Sequence, residues 1–209
     1  LQQQRTEAIA WHSAVFTNLS HDHLDYHGDV AAYFAAKARL FMDLPPRFAI
    51  INLDDPYGQK LAEMAAAKTE VFGFSLHPHA VVGQYRVRNV KVGWDASQFV
   101  LLTPQGSRSI HLPVCGNFNI ANAVAAAALA GRMGASLDAI AHGLAQFTPQ
   151  PGRMEPVNMG QPFSVFVDYA HTPDAMKNLL ETVRGMSGEG KVIIVFGCGG
   201  NRDATKRPI

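Results

Sequence analysis

Hydrophobic and polar positions along this chain follow two alternating periods. Residues 13–19 (SAVFTNL) form an apolar run of strand length, and 29–44 place Val30, Phe34, Lys37 and Phe41 at steps of three or four, which predicts a helix. Gly28-Asp29 supplies a start signal for that helix and Pro45-Pro46 a stop. Residues 48–53 read as a second apolar strand, the segment after Asp55-Pro56 as a helix, and 70–75 as a third strand. A β-α-β-α-β alternation of this kind favours a parallel sheet with helices packed on it.

From 81 to 114 the pattern changes to short β-rich runs at 85–92, 99–103 and 109–114, with turn residues between them. They predict a small antiparallel extension of the sheet. Residues 117–133 and 137–147 read as two helices broken at Gly134-Ala135. Gln150-Pro151-Gly152 then marks a domain boundary, dividing the chain into 1–150 and 151–209. Beyond it a strand at 163–168, a helix at 173–184 and a strand at 191–196 predict the start of a second α/β domain. The fold class expected is α/β.

Composition narrows the function. With 47% hydrophobic and 17% charged residues the chain can bury a sizeable core. Eighteen basic against seventeen acidic side chains leave a formal charge of +1, too little to gather nucleic acid or an acidic membrane surface. The longest apolar run, 123–130, is too short and too alanine-rich to span a bilayer. Cys115 and Cys198, each beside a glycine, suggest no disulfide framework and point to a reducing compartment. The opening LQQQR and the ending after a glycine-rich turn lead one to expect further chain on both sides.

Three places carry candidate chemistry. SHDHLDYHGD gathers His21, Asp22, His23, Asp25, His27 and Asp29 after a strand, where sites form in α/β sheets. Zinc is one reading of its three imidazoles, although the spacing is unfamiliar and no cysteine is near; a polar strand-to-helix loop is the plain alternative. Lys37 lies on or beside the apolar stripe of its helix. A lysine there commonly packs its stem and sends its ammonium to water. Carbamylation by carbon dioxide would instead turn it into an oxygen-donor anion suited to Mg²⁺. GCGGNRD, 197–203, follows an apolar run and could offer backbone N–H groups to an anion, or be a plain turn. One motif is a decoy. Gly185 to Lys191 fits the phosphate-loop frame, but Val192 stands where a Ser or Thr would hold Mg²⁺, and the order is helix to strand.

FTNLSHDHLDYHGD, AAKARLF, CGNFNIANA, PGRME, VDYAHTPDA and VFGCGGNRD..KRP occur in one order. Together they resemble the Mur ligases, over the whole of 1–209, and within that family the members that add the third amino acid to the UDP-linked muramoyl peptide of bacterial cell wall. The resemblance implies a Mur ligase central domain at 1–150, lacking its phosphate loop, followed by the start of a Rossmann-like C-terminal domain at 151–209. It implies a cytoplasmic enzyme that uses ATP and Mg²⁺. Its substrates would be UDP-N-acetylmuramoyl-L-alanyl-D-glutamate and a diamino acid, with the style leaning to meso-diaminopimelate. The substrate carboxylate would be activated as an acyl phosphate and then attacked by the amine. The segment alone is expected to be inactive.

Residue by residue, Lys37 matches the lysine that is carbamylated in the family and helps hold Mg²⁺. His23 matches a second metal-site ligand, an unusual partner for a cation that prefers oxygen. Asn119 and Asn122 fall where the family contacts the nucleotide, Arg153 where an arginine reaches the ATP phosphates, and Asp168 and His171 near the ribose and base. Gln3 and Arg5 resemble positions that touch the UDP-muramoyl substrate, and Arg202 one that contacts the incoming diamino acid. Plainer roles exist: helix capping for Asn119, Asn122 and Asp168, and a linker ion pair for Arg153. Asn201 stands where the family usually has Asp, and Ala204 where it often has a basic residue, which weakens the reading of that loop. Rival readings are a related amide ligase, such as a folylpolyglutamate or cyanophycin synthetase, or a non-catalytic nucleotide-binding module.

Overall fold

The computed structural model describes residues 8–19, 29–77 and 84–197. Helix α1 (Val30–Met42) begins where its capping residue predicts: the Asp29 carboxylate accepts the Ala32 N–H at 2.7 Å. Phe34, Ala38 and Phe41, at steps of four and three, are its buried residues. Helix α2 (Pro56–Ala65) has proline in its first turn, where the missing N–H costs nothing, and Asp55 as its cap. One Asp55 oxygen accepts the N–H groups of Tyr57 and Gly58 at 2.8 and 3.0 Å, and the other accepts Leu19 N–H at 3.0 Å.

Strands β1 (Ser13–Phe16), β2 (Phe48–Asn52) and β3 (Glu70–Ser75) pair in parallel, in sequence order. The next strand, β4 (Tyr85–Val92), joins them in parallel through Phe74↔Tyr85 and Ser75↔Arg86. The sheet then continues antiparallel through β5 (Ser97–Thr103) and β6 (Gly106–Leu112), the expected extension. Its last hairpin is tight, with Thr103 paired to Gly106. Pairing therefore runs down to the turn and draws Gly106 to Arg108 into β6, residues with no apolar pattern to announce them.

Strand β2 is buried on both faces, and its side chains divide between two cores. Ala49 and Ile51 join Ala14, Phe16 and Leu19 beneath α1 and α2. Phe48 and Ile50 face the other way, joining Phe72, Phe74, Tyr85, Val87, Leu101 and Leu112 against α3 (Asn117–Arg132) and Ile140 of α4 (Leu137–Ala145). Arg108 and Asp138 form an ion pair between β6 and α4. No helix among the described residues is long and apolar enough to cross a membrane.

The segment after 150 departs from expectation. The strand predicted at 163–168 shrinks to β8 (Phe166–Val167), paired antiparallel with β7 (Glu155–Pro156), which no pattern forecast. Helix α5 (Pro173–Ser187) forms as predicted, capped by Thr172, but buries none of its residues. Residues 191–196 do not form the predicted strand, and Ile193, Val195 and Phe196 are 75%, 95% and 69% exposed. A strand exists only through a neighbour that accepts its ladder hydrogen bonds, and among the described residues none lies beside this run.

Candidate functional site

The carboxyl ends of β1, β2 and β3 lie at one edge of the sheet. Because β6 runs antiparallel to β5 and β5 antiparallel to β4, the end of β6 and the start of α3 reach the same edge. Ligands in open α/β sheets bind at such an edge. Asp54 organises it: its carboxylate accepts the Ser75 hydroxyl at 2.5 Å and the Leu76 N–H at 2.7 Å, and His77 Nε2 lies 3.8 Å away. Nearby, Asn52 donates to the Thr17 carbonyl at 2.7 Å. A cavity of about 530 Å³ opens there, lined by Asp54, Leu76, His77, Val90, Val92, Asn117 and Ile120.

Helix α3 begins at this cavity without a side-chain cap, after Gly116 at φ 97°. That leaves its first N–H groups free of side-chain partners, a favourable place for negative charge. Asn119 does not cap. Its amide turns back and donates to the Cys115 carbonyl at 2.7 Å, bracing the glycine turn. Asn122, one turn on, is exposed.

The second unit brings its residues to the same turn. Burial pushes the Cys115 thiol above its ordinary range; its own backbone contact opposes this, and the Asp95 and Asp168 carboxylates add to it. Asp168 is thus close enough to Cys115 to be felt electrostatically. A Cβ on Gly116 would come within 3.2 Å of the Thr182 methyl, so α5 lies over the start of α3. Trp94, in the β4–β5 turn, stacks on Phe166 of β8 with ring centres 5.8 Å apart.

Asp168 does not cap α5. Its two oxygens accept the N–H groups of Met154 and Ala170, each at 2.8 Å. Arg153 is exposed, with its guanidinium 5.2 Å from the Tyr169 ring centre, and Tyr169 in turn meets His171 edge to face at 5.0 Å. His171 Nδ1 lies 2.9 Å from the Tyr169 carbonyl, which fixes the imidazole's orientation. Tyr169 was not foreseen as a contact of Arg153, because a tyrosine between Asp168 and Ala170 carries no periodic signal.

Lys37 stands apart. It is half-buried on α1, on the opposite face of the sheet from α3, with its amine 5.0 Å from the Tyr33 ring centre. That ring face suits an ammonium. Among the described residues no group of three or more His, Cys, Asp or Glu side chains is placed to hold a metal ion. His23, Gln3, Arg5, Arg202 and most of the SHDHLDYHGD cluster lie outside the described residues, as do Asn201 and Ala204. The decoy loop is a helix stop. Arg184 donates to the Gly190 carbonyl at 2.9 Å and Gly190 N–H to the Ser187 carbonyl at 2.8 Å, so the turn closes on itself.

A helix-flanked parallel sheet thus meets the segment after 150, and the meeting point holds the uncapped start of α3, an asparagine and a carboxylate, the last bonded to the backbone N–H next to an arginine. Residues 1–130 match the family described as Mur ligase middle domain, and 152–209 match Mur ligase, glutamate ligase domain. The chain belongs to the Mur ligase family. It is similar to the UDP-N-acetylmuramoyl-L-alanyl-D-glutamate--2,6-diaminopimelate ligase of Geobacter metallireducens, 43% identical over all of this chain and 41% of that protein. A solved structure of a ligase of the same name is 35% identical, with a TM-score of 0.76 over 99% of this chain and 42% of that one. Mycobacterium tuberculosis folylpolyglutamate synthase, complexed with ADP and AMPPCP, is 30% identical, with a TM-score of 0.68 over 85% of this chain and 40% of its own. The chain spans about two-fifths of the length of the curated relatives it matches, 41% and 43% in two cases.

Proposed function

We propose that this chain is part of an ATP-dependent amide ligase of peptidoglycan synthesis, and that it joins meso-diaminopimelate to the D-glutamate carboxylate of UDP-N-acetylmuramoyl-L-alanyl-D-glutamate. The observation that carries the proposal is the meeting of CGNFN with the helix that follows DYAHTP: a Cβ on Gly116, at the turn where α3 begins, would come within 3.2 Å of the Thr182 methyl of α5. Supporting it is 43% identity to a ligase so named across the whole chain. In this reading residues 1–150 belong to the nucleotide-binding central domain and 151–209 open the C-terminal domain. The enzyme works in the cytoplasm, where it serves cell-wall growth, cell shape and division.

The chain's own residues divide the work. Asn119 and Asn122, with the free N–H groups of α3, bind the nucleotide at the sheet edge. Asp168 and His171 face its ribose and base. Arg153, always charged and exposed, meets the phosphates and offsets the negative charge that gathers as the carboxylate is activated to an acyl phosphate. Lys37, carbamylated, and His23 would hold Mg²⁺, which when bound neutralises phosphate charge. The amine on α1 fits that role only after modification, since the ammonium itself would repel a divalent cation. Gln3 and Arg5 contact the UDP-muramoyl substrate and Arg202 the incoming diamino acid.

The test is phosphate release by the full-length protein with ATP and the muramoyl dipeptide, supplied in turn with meso-diaminopimelate, L-lysine or no amine. Release that requires meso-diaminopimelate is expected. A requirement for L-lysine would correct the substrate, and turnover with a folate and glutamate instead would overturn the proposal. The 209-residue chain alone is expected to release no phosphate.

A further inference from the structure

Arg153 sits in an unusual piece of backbone. Gly152 before it and Met154 after it both have left-handed φ, 71° and 46°. Glycine takes that conformation freely; methionine does not, and Met154 is also almost fully buried at 2% exposure. Each of the two N–H groups flanking Arg153 is held by a carboxylate. Gly152 N–H donates to Glu155 Oε2 at 2.7 Å, and Met154 N–H donates to Asp168 Oδ2 at 2.8 Å. The two acids come from opposite sides of the same small ladder, in which Glu155 pairs with Val167, the residue before Asp168. The Arg153 N–H itself donates to the Gln150 carbonyl at 3.1 Å.

We infer that Glu155 is a positioning residue for Arg153, acting with Asp168 as a two-carboxylate clamp on the turn that presents the guanidinium. The inference rests on the reading that Arg153 meets the ATP phosphates. Without an acceptor for Gly152 N–H, the turn has an open donor on one side and can relax from its left-handed form. Relaxation there rotates the Arg153 side chain away from Tyr169. Glu155 touches neither nucleotide nor substrate in this account, so its loss is felt through Arg153 alone.

The test uses the full-length ligase and ADP titrations by calorimetry, alongside KM for ATP and kcat. Arg153→Ala is expected to weaken ADP binding on the order of tenfold or more, as loss of a charged contact does. Glu155→Ala should reproduce a good part of that loss. Glu155→Gln, whose amide oxygen can accept the same N–H, should restore it. The double variant should be no weaker than Arg153→Ala. If Glu155→Ala fails to fold, Glu155→Asp, which keeps the charge but shortens the reach, carries the comparison and should bind weakly. Wild-type affinity in Glu155→Ala beside a weak Arg153→Ala overturns the clamp alone. Additive losses in the double variant do the same. Wild-type affinity in Arg153→Ala removes the phosphate reading and the clamp with it.

Discussion

Asp55 ties Leu19 to the start of α2: one carboxylate oxygen accepts the Leu19 N–H at 3.0 Å while the other caps the helix. The bond fixes the chain just beyond β1, so the cap of one helix also holds the exit of a neighbouring strand. Asp55→Ala is expected to cost about 1 to 2 kcal/mol from the cap, with more from the orphaned Leu19 N–H. Asp55→Asn should retain the cap but not the Leu19 bond, since its one amide oxygen can accept the Tyr57 and Gly58 N–H groups while its NH2 cannot accept the Leu19 N–H. Urea unfolding of the two variants measures the difference, and equal midpoints for Asp55→Ala and wild type would refute it.

Gly58 and Gly143 are both helical glycines and should respond oppositely to alanine. A Cβ at Gly58 would lie 1.9 Å from the Asn52 carbonyl oxygen, which belongs to backbone and cannot swing aside. Nothing lies within 4 Å of a Cβ at Gly143. Gly58→Ala is expected to destabilise by about 1 to 3 kcal/mol or more through overpacking. Gly143→Ala should stabilise by roughly 0.5 to 1 kcal/mol through helix propensity. Thermal melts of the pair test the contrast; a stable Gly58→Ala would show that α2 does not sit this close to β2.

Stability should fall at alkaline pH, in part through Cys115. Burial raises its folded-state pKa, so the unfolded chain ionises first. Stability is then intact below about pH 8.5, the unfolded thiol value, and declines as pH rises toward the folded one. Tyr85 is also raised by burial, with Arg132 opposing, and adds a second decline from about pH 10. Cys115→Ala should flatten the change in urea midpoint between about pH 8.5 and 9.5, the interval above the free-thiol value and below the tyrosine one. An unchanged slope would count against the buried thiol.

Trp94 and Phe166 join the antiparallel extension to the second unit by a ring stack. Changing each to leucine, singly and together, should reveal a coupling of about 0.5 to 1.5 kcal/mol in a double-mutant cycle. Additive losses would mean that the rings touch without holding the units together. Tryptophan fluorescence of Phe166→Leu should change in parallel, because the stacked indole loses its neighbour.

Much of the fold was legible because helix and strand periods are local. Val30, Phe34 and Phe41 announce α1, and Asp29 and Asp55 begin α1 and α2 by bonds to N–H groups two or three residues away. The candidate site was legible only as a set of strings. Asn119 and Asp168 lie far apart in the sequence, and neither string says that Asp168 will be felt at Cys115. Glu155 and Tyr169 stand inside PGRME and VDYAHTPDA, yet neither string gives them a role, since their importance lies in which backbone and which cation they meet.

The sequence by itself determined most of the element types, the Asp29 cap and the resemblance to one family, because these depend on neighbours within a few positions. Tertiary structure decided the rest. It split β2 between two cores, shortened 163–168 to a two-residue ladder, left 191–196 without a partner strand, and turned Asp168 from helix cap to clamp on Met154. Hydrogen-bond partners between distant segments are chosen by the packing of whole elements, and a one-dimensional pattern holds no record of that choice.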